Sequence, residues 1–136
     1  MSRPYTARER QYLEEHMWAV LATGRSDGSP QQSMVGYVLD VEGRIVISAK
    51  SYTAKWKNTL RNPRVSLTVP DGRTHLVAYG TAETISGDPL RAELSADVFA
   101  RLTNTDRPDP SSLVPTLDEQ QRTVIRVTPE KILFSE

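Results

Sequence analysis

Residues 44–69 read RIVISAKSYTAKWKNTLRNPRVSLTV, and their order of elements decides the fold. Arg44 to Ser48 is rich in β-branched residues and predicts a strand. Thr53 to Arg61 predicts a short helix, stopped by Asn62-Pro63 because proline cannot continue it. Arg64 to Val69 alternates apolar and polar side chains, the pattern of a half-buried strand. Upstream, Ser26-Asp27-Gly28-Ser29-Pro30 and Glu42-Gly43 are tight-turn signals; downstream, so is Pro70-Asp71-Gly72. Strands joined by such short turns are antiparallel.

Working outward, Thr6-Ala7-Arg8-Glu9 has capping-box spacing and opens a helix to about residue 16. Residues 18–23 and 31–41 predict the first two strands. A long strand over 73–85 carries Leu76, Ala78, Gly80 and Ala82 in one register. Asp88-Pro89 opens another helix, with Pro89 at its first position and Leu90, Leu94, Val98 and Leu102 at four-residue steps. The proline-rich stretch 103–118 predicts a loop with little structure, a candidate mobile lid. A strand pair over 122–128 and 131–135 closes the chain. The expected architecture is mainly β (α+β): six or seven antiparallel strands forming a sheet or small barrel, with two or three short helices, in one domain over 1–136.

Composition removes many chemistries. The chain has 136 residues, no cysteine and two histidines, so thiolate chemistry is excluded and a histidine-rich metal site is disfavoured. No apolar run approaches a membrane span and no signal peptide opens the sequence, which predicts a cytoplasmic protein without membrane contact. Formal charge is zero, with 17 basic and 17 acidic residues, which argues against nucleic acid as a partner.

That zero is unevenly distributed. No acidic residue occurs from Gly43 to Pro70, a stretch that holds Arg44, Lys50, Lys55, Lys57, Arg61 and Arg64. A segregated basic segment in a neutral protein points to one anionic ligand. With Thr53 as N-cap, Lys55 lies in the first helical turn, where the helix dipole disfavours a cation and a bound anion would reverse the sign. The hydroxyls of Ser48, Ser51 and Thr53 and the ammoniums of Lys50 and Lys55 could surround a phosphate. Arg61 and Arg64 sit at or beyond the helix end, where a solvated charged face accounts for them. Trp56 and Leu60, four apart, predict the buried side of this helix, with ligand stacking as the alternative for Trp56. His75 and Tyr79 share one strand face, and His16 suits the C-terminal dipole of the first helix.

These residues carry a resemblance. Ala22-Thr23 followed by Asp27-Gly28-Ser29-Pro30, then Ile45 to Ser48, Thr53-Ala54-Lys55, Asn62 to Leu67, and Val127 to Ile132 together resemble the flavin-binding split-barrel proteins, the pyridoxamine-phosphate-oxidase-like superfamily. The resemblance covers roughly residues 7–135. It implies a six-stranded antiparallel split β-barrel and a homodimer with cofactor sites in the subunit interface. It also implies that an Arg-Lys pair before this helix, and an arginine on the second strand, grip the phosphate of FMN. Here Lys55 matches the lysine, while Ala54 and Ser33 stand in the arginine positions. The arginine- and histidine-containing substrate motif of the pyridoxamine oxidases is missing, so their reaction is not implied.

The Ala54-Lys55 form is more similar to the branch that uses the deazaflavin coenzyme F-420. That branch implies a reductase passing a hydride from the reduced cofactor to an unsaturated organic substrate. Cofactor-binding residues carried over are Ser48, Lys50, Thr53, Ala54, Lys55, Lys57, Asn58 and Arg61 around the helix, with Gln32, Ser33, Met34 and Val35 beside the ring. Lys50, Lys55, Lys57, Arg61 and Arg64 would form a basic groove for the polyanionic tail. The alternatives are an FMN-dependent oxidoreductase on the same fold and a non-catalytic binder of a cofactor or tetrapyrrole. No catalytic side chain is assigned, because hydride transfer is the cofactor's own chemistry.

Overall fold

The first helix, α1 (Ala7–Glu15), is opened by the capping box foreseen in the sequence. Thr6 Oγ1 accepts from the Glu9 amide, and Glu9 Oε1 accepts from the Thr6 amide. These features come from a computed structural model that describes residues 5–136. Tyr12 and Leu13 of α1 are buried in the main core. The Tyr12 hydroxyl donates to the Val69 carbonyl, and the Leu13 carbonyl accepts from the Tyr37 hydroxyl, so α1 is pinned across the strands by polar contacts as well as packing.

The strands are β1 (Trp18–Gly24), β2 (Pro30–Leu39), β3 (Ile45–Lys50), β4 (Arg64–Asp71), β5 (Thr74–Ile85) and β6 (Arg122–Ser135). Helix α2 (Ala54–Arg61) joins β3 to β4; α3 (Leu90–Thr103) and α4 (Pro110–Glu119) join β5 to β6. The strands close into an antiparallel barrel in the order β1-β2-β3-β6-β5-β4. At the β2–β3 turn Gly43 takes φ +82°, a conformation that suits a residue without Cβ. Inward-facing Leu21, Val35, Tyr37, Ile47, Leu67, Leu76, Ala78 and Ile125 fill the barrel. A second apolar cluster lies outside it, where Leu94 and Val98 of α3 cover Val46, Ile85 and Val124.

One interruption in the barrel matters most. Pairing of β2 with β3 runs only from Leu39↔Ile45 to Tyr37↔Ile47. Beyond it, residues 30–36 of β2 continue against β1, and residues 48–50 of β3 continue against β6. The two strands thus part company just before β3 leads into α2.

Several expectations need correction. Residues 110–119 of the supposed loop form α4, with Asp109 as N-cap accepting from the Ser111 amide. Pro110 at the helix start lacks only an N–H that would have no helical acceptor there, so it favours the turn instead of breaking it. Pro115 lies inside the helix, and Leu117 is fully buried. The closing strand pair is one strand, β6. Pro129-Glu130 reads as a break but makes a bulge, with Gly80 opposite Pro129 and Tyr79 opposite Lys131. Leu60 is 59% exposed, so it is not on the buried side of α2; that side is Trp56, Asn58 and Thr59. Pro89 is the N-cap of α3, one position earlier than expected.

Candidate functional site at the parting of β2 and β3

The site follows from the fold. Where β2 and β3 separate, the chain presents Gln32 to Val35 on one side and Ser48 to Lys50 on the other. These are the two strand segments singled out in the sequence. Val35 is buried in the core, and alternation puts Ser33 on the same face. Ser33 Oγ is buried and, among the described residues, has no hydrogen-bond partner, which leaves a donor and an acceptor over. Gln32 and Met34 are exposed on the opposite face of the strand.

Helix α2 begins at this parting. Thr53 occupies its N-cap position but does not cap it; its hydroxyl and amide both bond the Lys50 carbonyl, closing the turn after β3. The first-turn amides of α2 therefore lack a side-chain acceptor, and no acidic residue stands in that turn. Ala54 is exposed and Lys55 is half-buried beside it. Trp56 is buried in the core, which accounts for it by packing.

The rest of α2 is anchored elsewhere. Asn58 is buried and its Nδ2 donates to Thr23 Oγ1 at 3.1 Å. Arg61 Nη2 donates to Asn58 Oδ1 and to the Gly24 carbonyl. Asn58 and Arg61 thus tie α2 to the end of β1. Lys57 is exposed. Arg64 lines a separate cavity of about 340 Å³ with Ser66, Tyr79 and Gly24. The basic residues of the acid-free segment therefore do not form one groove. Ser48 and Lys50 share one face at the end of β3 and Lys55 stands at the start of α2, whereas Arg61 binds the end of β1 and Arg64 lines another cavity.

One residue that the sequence alone does not single out reaches Ser48, Lys50 and Lys55 alike. Arg122, at the start of β6, pairs across the ladder with Lys50, and its Nη1 donates to Ser48 Oγ at 3.3 Å. Its Nε donates to Gln120 Oε1, and its guanidinium lies 5.7 Å from the centre of the Phe99 ring. Burial lowers the Lys55 pKa, and the Arg122 charge lowers it further, while the nearby Tyr52 acts in the opposite sense. Among the described residues no carboxylate forms an ion pair with Lys50, Lys55 or Arg122. By contrast Arg44, from the same acid-free segment, is matched to Asp40, Glu42 and Glu83. Only the strand register brings Arg122 here, across a sequence separation no local motif could signal.

The histidines lie elsewhere. His16 Nδ1 meets the Tyr12 carbonyl and Nε2 meets Asp71 Oδ2, while His75 sits on β5 with Nδ1 against the Arg73 carbonyl. Among the described residues no group of three His, Cys, Asp or Glu side chains could hold a metal. Among the described residues no helix is long and apolar enough to cross a membrane.

The arrangement can be set beside known proteins. A family model for pyridoxamine 5'-phosphate oxidase matches residues 5–136. A conserved hypothetical protein of Mycobacterium tuberculosis is similar in structure, with TM-score 0.80 and 21% identity, over 99% of this chain and 86% of that one. An F420 reductase aligns with TM-score 0.70 and 24% identity, over 96% of this chain and 98% of that one. The heme storage protein HutZ of Vibrio cholerae aligns with TM-score 0.69 and 21% identity, over 92% and 90%. At these identities the solved structures attest the shared fold. With its closed six-stranded antiparallel barrel and a family match spanning nearly all of its length, the chain belongs to the pyridoxamine 5'-phosphate oxidase family of split-barrel proteins.

Proposed function

We propose that this chain is an oxidoreductase that holds the deazaflavin coenzyme F-420 where β2 and β3 part, and uses it to reduce an unsaturated organic substrate. The observation that carries this reading is the half-buried Lys55 at the uncapped start of α2, beside that parting and, among the described residues, without a carboxylate partner. A cation so placed is favoured by an anion and by little else on the chain.

The residues present fit such a cofactor. Ser48, Lys50, Thr53 and Lys55, with the backbone amides at Ala54 and Lys55, would hold its phosphate. Ser33 Oγ, buried without a partner, and the unpaired edge of β2 at Gln32 to Val35 would hydrogen-bond the ring's polar end. Exposed Lys57 would face the outer, carboxylate-bearing part of the tail. The cofactor, once bound, supplies the hydride. The protein's share is to fix the ring against the substrate, neutralise the tail and keep water out.

A second copy of the chain completes the site in this reading. Met34 lies opposite Val20, Val20 opposite Thr68, Thr68 opposite Val77, and Val77 opposite Leu133. This register lays a largely apolar row across the outside of five strands, with Met34 62% and Leu133 47% exposed. A face of that kind, starting at a lip of the cofactor site, suits a homodimer. Storage of a tetrapyrrole, the role named for one structural relative, is less well supported, since neither histidine lies at the parting.

Titration of the purified chain with F-420 and with FMN, followed by fluorescence, tests the proposal. Saturable binding of F-420 that exceeds binding of FMN supports it. Binding of FMN without F-420 makes the chain an FMN-dependent enzyme of the same fold.

A further inference from the structure

We propose that Arg122 is a further cation of the phosphate site, joining Lys50 and Lys55 where Ala54 and Ser33 leave the site without arginines. The inference rests on the reading that this site takes a phosphate-bearing cofactor, and it adds a residue from the far end of the chain.

Geometry supports it in three ways. First, Arg122 reaches the site directly, since its Nη1 donates to Ser48 Oγ. Ser48 Oγ then acts as acceptor toward Arg122, which leaves the serine's own proton free to donate to an anion. Second, Arg122 has no carboxylate partner among the described residues, although Arg8, Arg10, Arg44, Arg91, Arg107 and Arg126 all have one. Arg122 touches Ser48, and its charge also reaches Lys55, whose pKa burial and the arginine together depress; among the described residues neither cation has a carboxylate counter-charge. A phosphate between them turns a repulsive pair into a clamp.

Third, Arg122 is held in place by built structure. Gln120 Oε1 accepts from its Nε at 2.7 Å, and its carbonyl accepts from Arg91 Nη1 at 3.2 Å. Arg91 is itself buried and bonded to Asp88 and Asp118 at 2.7 and 2.8 Å. The α3–α4 unit thus fixes the backbone from which the guanidinium projects. A phosphodiester in a deazaflavin tail and the phosphomonoester of FMN share this chemistry, and the site would accept the oxyanion of either.

The test uses the intact chain and two kinds of readout. R122Q should weaken binding of F-420, or of FMN, about ten- to a hundredfold, the loss of one charge-assisted contact. It should leave binding of the phosphate-free chromophores, riboflavin and the deazaflavin lacking its tail, within about twofold of wild type. R122K, which keeps the charge, should fall between. The second readout needs no variant. Phenylglyoxal modifies accessible arginines, and inorganic phosphate should protect Arg122, mapped by peptide mass, in a saturable manner.

Equal losses for phosphorylated and phosphate-free ligands, or no loss for either, would overturn the assignment. So would unprotected Arg122 at saturating phosphate. Protection by phosphate with no binding of F-420 or FMN would keep Arg122 in an anion site and remove the proposed function. Cofactor binding that is indifferent to Arg122 would do the reverse.

Discussion

Lys55→Ala separates ligand binding from folding, because the two effects run in opposite directions. In the unliganded protein Lys55 is half-buried, sits in the first turn of α2 and feels the charge of Arg122. Each of these disfavours its ammonium, so the substitution relieves strain instead of breaking a contact, and the melting temperature should hold or rise. With a phosphate bound, the same ammonium makes a charge-assisted hydrogen bond worth about 1.5–3 kcal/mol. Its loss weakens cofactor binding about ten- to a hundredfold. Linkage adds a sign. The folded pKa is depressed below the unfolded value, so the unfolded chain binds the extra proton between the two. Stability of the unliganded protein therefore rises with pH through that window, and Lys55→Ala removes the rise. Fluorescence titration gives the affinity, and urea unfolding at several pH values gives the stability. An unchanged dissociation constant, or a clear loss of stability in the unliganded variant, would refute the reasoning.

Three further outcomes are expected. Gly80→Ala places a Cβ 2.2 Å from the Thr128 carbonyl oxygen, so the bulge between β5 and β6 must shift; urea unfolding should show a loss of about 1–3 kcal/mol, and a neutral result would contradict the close approach. Burial acts to lower the His16 pKa, but the Asp71 carboxylate and the Tyr12 carbonyl, both acceptors, more than offset it, and the net shift is upward. The stabilisation is complete below the unfolded histidine pKa and is lost as pH rises through the raised folded value; Asp71→Asn should flatten that step in melting curves recorded across it. Met34→Asp combined with Leu133→Asp places charge in the outer apolar row, and light scattering should show the proposed dimer converted to monomer.

Most of the barrel was legible because its signals are local. Thr6 and Glu9 form a capping box within four residues, and the glycines at 28, 43 and 72 each set a turn by positive φ. The alternation of Leu76, Ala78, Gly80 and Ala82 gave the inner face of β5 directly. Leu60 was misplaced because helical spacing alone cannot say which stripe meets a partner. The end of β1 offers Thr23 and Gly24 as hydrogen-bond partners, so α2 turns polar Asn58 inward and leaves Leu60 out. Helix α4 was hidden by its prolines, although one stands at a position that favours a helix start. At the site, Ser48 and Lys50 lie two apart on one face of β3 and Lys55 opens the helix that follows, an order the sequence carries locally. Arg122 joins them through long-range pairing of β3 with β6, which no single-sequence pattern encodes.

The central claim is that the parting of β2 and β3, with Lys55 at its end, is a deazaflavin site. Its most direct measurement is a parallel titration of the purified chain with F-420 and FMN, read by quenching or polarisation of cofactor fluorescence. Saturable, stoichiometric F-420 binding, tighter than FMN and weakened by Lys55→Ala, is the predicted result. Tight FMN binding with no binding of F-420 would contradict it.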